Sequence, residues 1–326
     1  MKAPGFWYSG GVWGELLAPL GLLWAKLAER KYAKIRSHHA KVPVVCVGNL
    51  VAGGAGKTPV ALSLADFLPG LNYLSRGYGG KLEGPVLVDP HHHTFSMVGD
   101  EPLLLSETAP CWVAKNRLAG AKAAMHFGAS CLVMDDGFQN PILAKDLSLL
   151  VVDGAVGFGN GRCIPAGPLR EPVGKGLARA DAVVILGEDK AEAEALVGRL
   201  APALPVLKAR LETELEAESL QDEPVIAFAG IGRPEKFFDT LESKGAKLVG
   251  AYAFPDHHPY HPTEIGEMLA EAETHAAALI TTSKDFVRLP KHLQEQVGVL
   301  TVSVVWDDEE ALRKVLEPVL SKLKTI

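Results

Sequence analysis

The chain has 326 residues, of which 48% are hydrophobic and 22% charged, and its net charge is -6. That length predicts two domains, each able to bury its own core. The composition excludes a disordered or many-spanning membrane protein, and the acidic balance excludes nucleic-acid binding by whole-protein attraction.

In chain order, residues 11–28 form the most apolar stretch, but Glu15, Pro19 and Lys26 interrupt it, so it is not expected to span a membrane. No secretory signal pattern precedes it. Trp7, Trp13 and Trp24 fall here with Phe6 and Tyr8, and Lys26, Arg30, Lys31, Lys34 and Arg36 follow, opposed only by Glu29. Aromatic rings beside a basic run predict an N-terminal amphipathic helix, within residues 1–36, that docks peripherally on a membrane surface.

From residue 42, short β-rich runs at 43–47, 71–75, 86–88, 111–114, 131–134, 147–152 and 182–186 alternate with helical segments. Continuous apolar strands separated by helices predict a mainly parallel sheet covered on both faces, an α/β domain over residues 37–212. The acidic stretch at 207–224 reads as a connector. A second, smaller α/β domain is expected over residues 213–326, with strands at 225–229, 247–252, 278–281 and 299–305 and helices at 236–243, 263–274 and 308–323. Cys46, Cys111, Cys131 and Cys163 lie far apart without C-x-x-C spacing, and reduced, buried thiols are expected.

The first strand runs into Gly53-Gly54-Ala55-Gly56-Lys57-Thr58 and then a helix start. That order makes a phosphate cradle. Glycines turn successive N–H groups inward, the helix N-terminus adds positive partial charge, Lys57 reaches the β and γ phosphates, and the Thr58 hydroxyl holds Mg²⁺. The strict pattern has glycine where this chain has Val51. The strand at 131–134 ends in Asp135 and Asp136, a Walker B arrangement in which one carboxylate serves the metal, and the residues leave open which. A P-loop NTPase fold binding ATP and Mg²⁺ follows. Gly230-Ile231-Gly232 lacks the third glycine of a dinucleotide motif and reads as a tight βα turn, and His91-His92-His93 reads as an exposed loop.

Six blocks in this order resemble the lipid A 4'-kinase (tetraacyldisaccharide 4'-kinase) family: the 48–59 loop GNLVAGGAGKTP, Ser75-Arg-Gly-Tyr-Gly79, Val98-Gly-Asp-Glu-Pro102, Asp135-Asp-Gly-Phe-Gln139, Gly157–Pro172 with its GFGNG and PAGPLREP segments, and Thr281-Thr-Ser-Lys-Asp285. The resemblance implies ATP-dependent phosphorylation of the 4'-hydroxyl of tetraacyldisaccharide 1-phosphate at the cytoplasmic face of the bacterial inner membrane. Such an acceptor stays in the bilayer, which gives the N-terminal amphipath a purpose.

A sugar hydroxyl is a poor nucleophile, and a placed base is worth about 10²–10⁴-fold. Asp100 is the candidate base. The resemblance pairs it with a histidine, for which His257 is favoured and His258 is the alternative. Asp135 joins the catalytic set. Arg76 and Arg170, in glycine- and proline-rich loops, are candidates to grip phosphate oxygens. Glu101 and Glu171 are candidates, with Thr58 and Asp136, to ligate the metal or to hold those arginines, and Gln139 is a further candidate to orient phosphate or water.

Overall fold

A computed structural model describes residues 4–33, 35–213 and 220–324. The strands in chain order are β1 (Val44–Gly48), β2 (Leu71–Ser75), β3 (Val86–Leu87), β4 (Cys111–Val113), β5 (Cys131–Asp135), β6 (Leu147–Asp153), β7 (Ala182–Leu186), β8 (Val206–Thr213), β9 (Pro224–Ala229), β10 (Lys247–Ala253), β11 (Ala278–Thr282), β12 (Gly298–Leu300) and β13 (Val302–Trp306). They form two sheets, one in the order β13-β8-β7-β6-β1-β5-β2-β4-β3 and one in the order β10-β9-β11-β12. Among the described strand pairs, only β13 on β8 and β3 on β4 are antiparallel. The α/β architecture with a mainly parallel sheet is as expected.

The large sheet is buried on both faces, which is why its central strands read as unbroken apolar runs. Val45 and Val47 of β1 face one core, with Leu149 and Val151 of β6, while Val44 and Cys46 face the other. β1 lies between β5 and β6, with Val47 opposite Asp135, so the phosphate loop and the paired aspartates emerge side by side. Ligands of open α/β sheets bind at such carboxyl ends. All four cysteines are free and buried.

Two expectations need correction. The segment read as the start of a connector is strand β8, in which Leu207 and Ala209 are buried while Lys208 and Arg210 face solvent. Period-two alternation at a one-sided strand had looked like a charged linker. The second unit does not run to the end of the chain either. The expected strand at 299–305 is two strands, β12 in the small sheet and β13 in the large one. The final helix, Glu309–Leu323, buries Leu312, Leu316 and Val319 in the core of the large sheet. Residues 220–300 therefore make up the smaller unit, inserted between β8 and β13. Part of the expected connector, 214–219, lies outside the described residues.

At the N-terminus, Phe6–Ser9 and Val12–Ala33 are helical, and Lys34 lies outside the described residues. The long helix turns its small residues inward: Gly14 and Gly21 are buried and Ala25 packs on the core. Trp13, Leu16, Leu20, Leu22, Leu23, Trp24 and Leu27 are each at least half exposed. No helix among the described residues is long and apolar enough to cross a membrane.

Candidate active site

The phosphate loop leads from β1 into the helix Lys57–Ser63. Gly56 caps that helix in the left-handed region, φ 79°, which favours glycine, and a Cβ there would also press on the Leu186 side chain, 2.2 Å from its Cδ2. Lys57 is buried. Val51, the departure from the strict loop pattern, forms an antiparallel bridge with Leu169. Ala52 N–H donates to Pro168 O at 2.8 Å and Arg170 N–H to Leu50 O at 2.7 Å. A β-branched residue suits that bridge.

The same 163–170 segment lies under the N-terminal helix. Trp7 Nε1 donates to Pro165 O at 3.1 Å, and Asn160 Nδ2 donates to Phe6 O at 3.1 Å and Ala166 O at 2.9 Å. A Cβ at Gly21 would sit 2.6 Å from Cys163 O. Helix, segment and phosphate loop are thus stacked backbone to backbone.

Asp135 and Asp136 differ in their surroundings. Thr58 Oγ1 donates to Asp135 Oδ2 at 3.0 Å, while Asp135 Oδ1 is buried with no hydrogen-bond partner. Burial first, and then the charge of Glu101, push the Asp135 carboxyl up to about 7. Asp136 accepts both Arg170 guanidinium nitrogens, at 2.8 and 3.3 Å, with Lys57 Nζ 3.7 Å away. Burial opposes its ionisation, but Lys57 and Arg170 outweigh it and hold its carboxyl below the usual range. Glu171 pairs with Arg179 and accepts from Gln139 Nε2 at 3.2 Å. Gln139 also holds Asn49 O at 2.8 Å and accepts from Arg170. Arg76 is exposed beyond β2 and makes no hydrogen bond or ion pair among the described residues. The arrangement of Arg117, which sequence reasoning missed, is different: it is buried at the start of the helix Arg117–His126, and burial and then the Arg76 charge push it down to about 10.

Asp100 opens the helix Asp100–Thr108 and is only 4% exposed. Its Oδ1 accepts from Glu101 N–H at 2.9 Å, and its Oδ2 meets His257 Nδ1 at 2.8 Å and Arg288 Nε at 3.1 Å. Lys284 Nζ stands 3.9 Å from Asp100 and 3.7 Å from Glu101. Burial opposes ionisation of Asp100, yet the His257 hydrogen bond, Lys284 and Arg288 outweigh it and hold the carboxyl far below the usual range. His258 turns away, donating from Nε2 to the Glu264 carboxylate and stacking on Phe254. Lys284 and Arg288 were not singled out as site residues from sequence. Their signal was the block ending at Asp285, with Arg288 one helical turn beyond it.

The family model for Tetraacyldisaccharide-1-P 4'-kinase matches residues 13–321. The chain belongs to this family. Curated tetraacyldisaccharide 4'-kinases from Rhodospirillum centenum and Rhodospirillum rubrum are 54% and 53% identical to it. The first alignment covers 98% of this chain and 97% of its relative, the second 97% of each. Among solved structures, LpxK from Aquifex aeolicus in complex with ATP is similar with a TM-score of 0.76 and 28% identity, over 94% of this chain and 99% of that one. In this tetraacyldisaccharide 4'-kinase family member, the nucleotide loop and the Asp100–His257 pair thus sit on a fold shared with an ATP-bound relative.

Proposed function

We infer that the chain transfers the γ-phosphoryl group of ATP to the 4'-hydroxyl of tetraacyldisaccharide 1-phosphate, yielding the bis-phosphorylated lipid A precursor. The observation that carries this reading, beside the family, is the 2.8 Å contact between Asp100, next to the phosphate loop, and His257 of the smaller unit. A carboxylate only accepts hydrogen bonds, so His257 Nδ1 is the donor and Nε2 keeps its lone pair. Nε2 is then the atom for the hydroxyl proton, and Asp256 Oδ2, 3.8 Å from it, favours the imidazolium that forms. Asp100, buried and already gripped by the Lys284 and Arg288 cations, is a poor proton acceptor. Its role is to fix the tautomer and ring of His257. The base is thus His257 in this reading, where the sequence had suggested Asp100.

Gly53, Gly54, Ala55 and Gly56 cradle the phosphates with backbone N–H groups, and Lys57 neutralises them. Arg170, aimed by Asp136 and Gln139, grips a phosphate oxygen from the other side, and the exposed Arg76 is free to do the same from β2. The donor set for Mg²⁺ fits on the Thr58 hydroxyl, the unpartnered Asp135 Oδ1 and Glu101, all hard oxygens. Held there, Mg²⁺ would supply positive charge to offset the charge that grows on the phosphate oxygens. Asp136, held by Arg170 with Lys57, and Glu171, held by Arg179 with Gln139, are read as positioning those side chains instead of ligating metal.

The exposed Trp and Leu side chains of the helix Val12–Ala33 lie on a membrane surface in this reading, at the cytoplasmic face of the inner membrane where a four-chain acceptor resides. Lys26 and Arg30, exposed on the same helix, add about 1 kcal/mol each on anionic lipid. The experiment incubates the purified chain with Mg-ATP and radiolabelled disaccharide 1-phosphate in detergent. A second phosphate on the lipid at the 4' position is expected; ATP turnover with an unmodified lipid would defeat the reading.

A further inference from the structure

Arg288 lies outside the phosphate loop, yet it reaches both halves of the Asp100–His257 pair. It is 2% exposed, just beyond the short helix Ser283–Phe286. Its Nε donates to Asp100 Oδ2 at 3.1 Å, and its Nη1 donates to Gly230 O at 3.0 Å and stands 3.2 Å from Asp285 Oδ1. The same Gly230 carbonyl accepts the His257 backbone N–H at 3.1 Å. His257 has φ +61°, a left-handed backbone that a non-glycine residue keeps only when its surroundings enforce it. Gly230 is fixed in turn, since its N–H donates to Asp285 Oδ1 at 2.8 Å, and Tyr260 Oη donates to that oxygen at 2.7 Å. A Cβ at Gly230 would sit 2.9 Å from Tyr260 Oη and 3.0 Å from Pro255 O.

We propose that Arg288 is a positioning residue for the transfer: its single guanidinium, held by Asp285, clamps the Asp100 carboxylate and the Gly230 carbonyl that carries His257, and so sets the geometry between the two side chains. This rests on the reading that Asp100 and His257 handle the hydroxyl proton. Two diverging donors in one rigid plane are what the clamp needs, and a lysine offers a point charge instead. Packing alone is a weak account of this residue. Arg288 Nη2 is buried without a partner, a cost that an apolar side chain of similar volume avoids.

The test uses the full chain as Arg288→Lys, with Asp285→Asn as the variant that keeps Arg288 but loosens its hold. In Arg288→Lys, kcat is expected to fall about 10²-fold with the ATP KM within about threefold, as a misplaced reacting group requires. Proton NMR of the ligand-free protein reads the geometry without activity. The downfield Nδ1–H of His257, assigned by its loss in His257→Gln, is expected to move or broaden away in Arg288→Lys and less so in Asp285→Asn. An unmoved proton with kcat within about threefold of wild type overturns the clamp; if Arg288→Lys does not fold, the same outcome in Asp285→Asn does so. A displaced proton with unchanged kcat would leave the clamp standing and remove the pair from the chemistry.

Discussion

Gly21 sits in the middle of a 22-residue helix, separated from the phosphate loop by the 163–170 segment, and replacing it with alanine sets two effects against each other. Helix propensity alone favours alanine by about 1 kcal/mol. The structure predicts the opposite sign. The new Cβ would lie 2.6 Å from Cys163 O, a backbone atom that no rotamer change can move aside. A carbon–oxygen contact relaxes to about 3.3–3.6 Å, so helix and segment must part by roughly 0.8 Å. Overpacking of this kind costs about 1–3 kcal/mol, which exceeds the propensity gain. The strain falls on the segment that bridges Val51 and carries Arg170, and a 1 Å misplacement of reacting groups is worth about 10²-fold. Gly21→Ala should therefore lower the melting temperature and reduce kcat by about tenfold in detergent, where membrane docking is irrelevant. Leu22→Ala, at a neighbouring side chain 72% exposed, serves as the control and should leave both unchanged. A Gly21→Ala protein that is more stable than wild type and fully active would refute the stacked-backbone account.

Lys57→Ala and Asp135→Asn should each lower transfer by at least about 10³-fold at saturating Mg-ATP, because phosphoryl transfer depends on charge neutralisation; steady-state kinetics in detergent checks this. In the metal-free, nucleotide-free protein, Asp135→Asn should have the opposite effect on stability. A carboxyl whose folded pKa is raised to about 7 costs stability as pH rises from about 4 to 7, and the cost is complete above that window. Thermal melts at pH 8 should thus show Asp135→Asn more stable than wild type, and the difference should vanish near pH 4. Changing Trp13, Leu16, Leu20 and Trp24 together to serine should weaken binding to anionic vesicles and activity on bilayer-held acceptor, with detergent activity kept; equal losses in both assays would make the face structural.

Most strands were legible because apolar runs and glycine turns are local signals, and the phosphate loop and Asp135-Asp136 carry their chemistry in their spacing. Strand β8 was not, because Lys208, Arg210 and Glu212 alternate with its inward residues and mask its β pattern. The return of the chain to the large sheet turns on Thr301, between β12 and β13, and only the buried face of Leu312, Leu316 and Val319 decides which core it joins. Asp100 was read as the base and its pairing with His257 came from a resemblance, while their contact across 157 positions is a tertiary fact. The different surroundings of Asp135 and Asp136, on which their proposed roles rest, were not readable either. They depend on Arg170 and Lys57 reaching one carboxylate and leaving an oxygen of the other bare. Gly230, read as an ordinary turn, gains its importance from what its carbonyl holds.

The central claim is that the two units supply one catalytic pair, and a double-mutant cycle on Asp100→Asn and His257→Gln tests it most directly. Each single variant should lower kcat by about 10²–10⁴-fold with little change in the ATP KM. Residues that act as a unit give strongly non-additive losses, so the double variant should resemble the worse single one. If the two losses multiply instead, the residues act independently and the account of a shared pair is wrong.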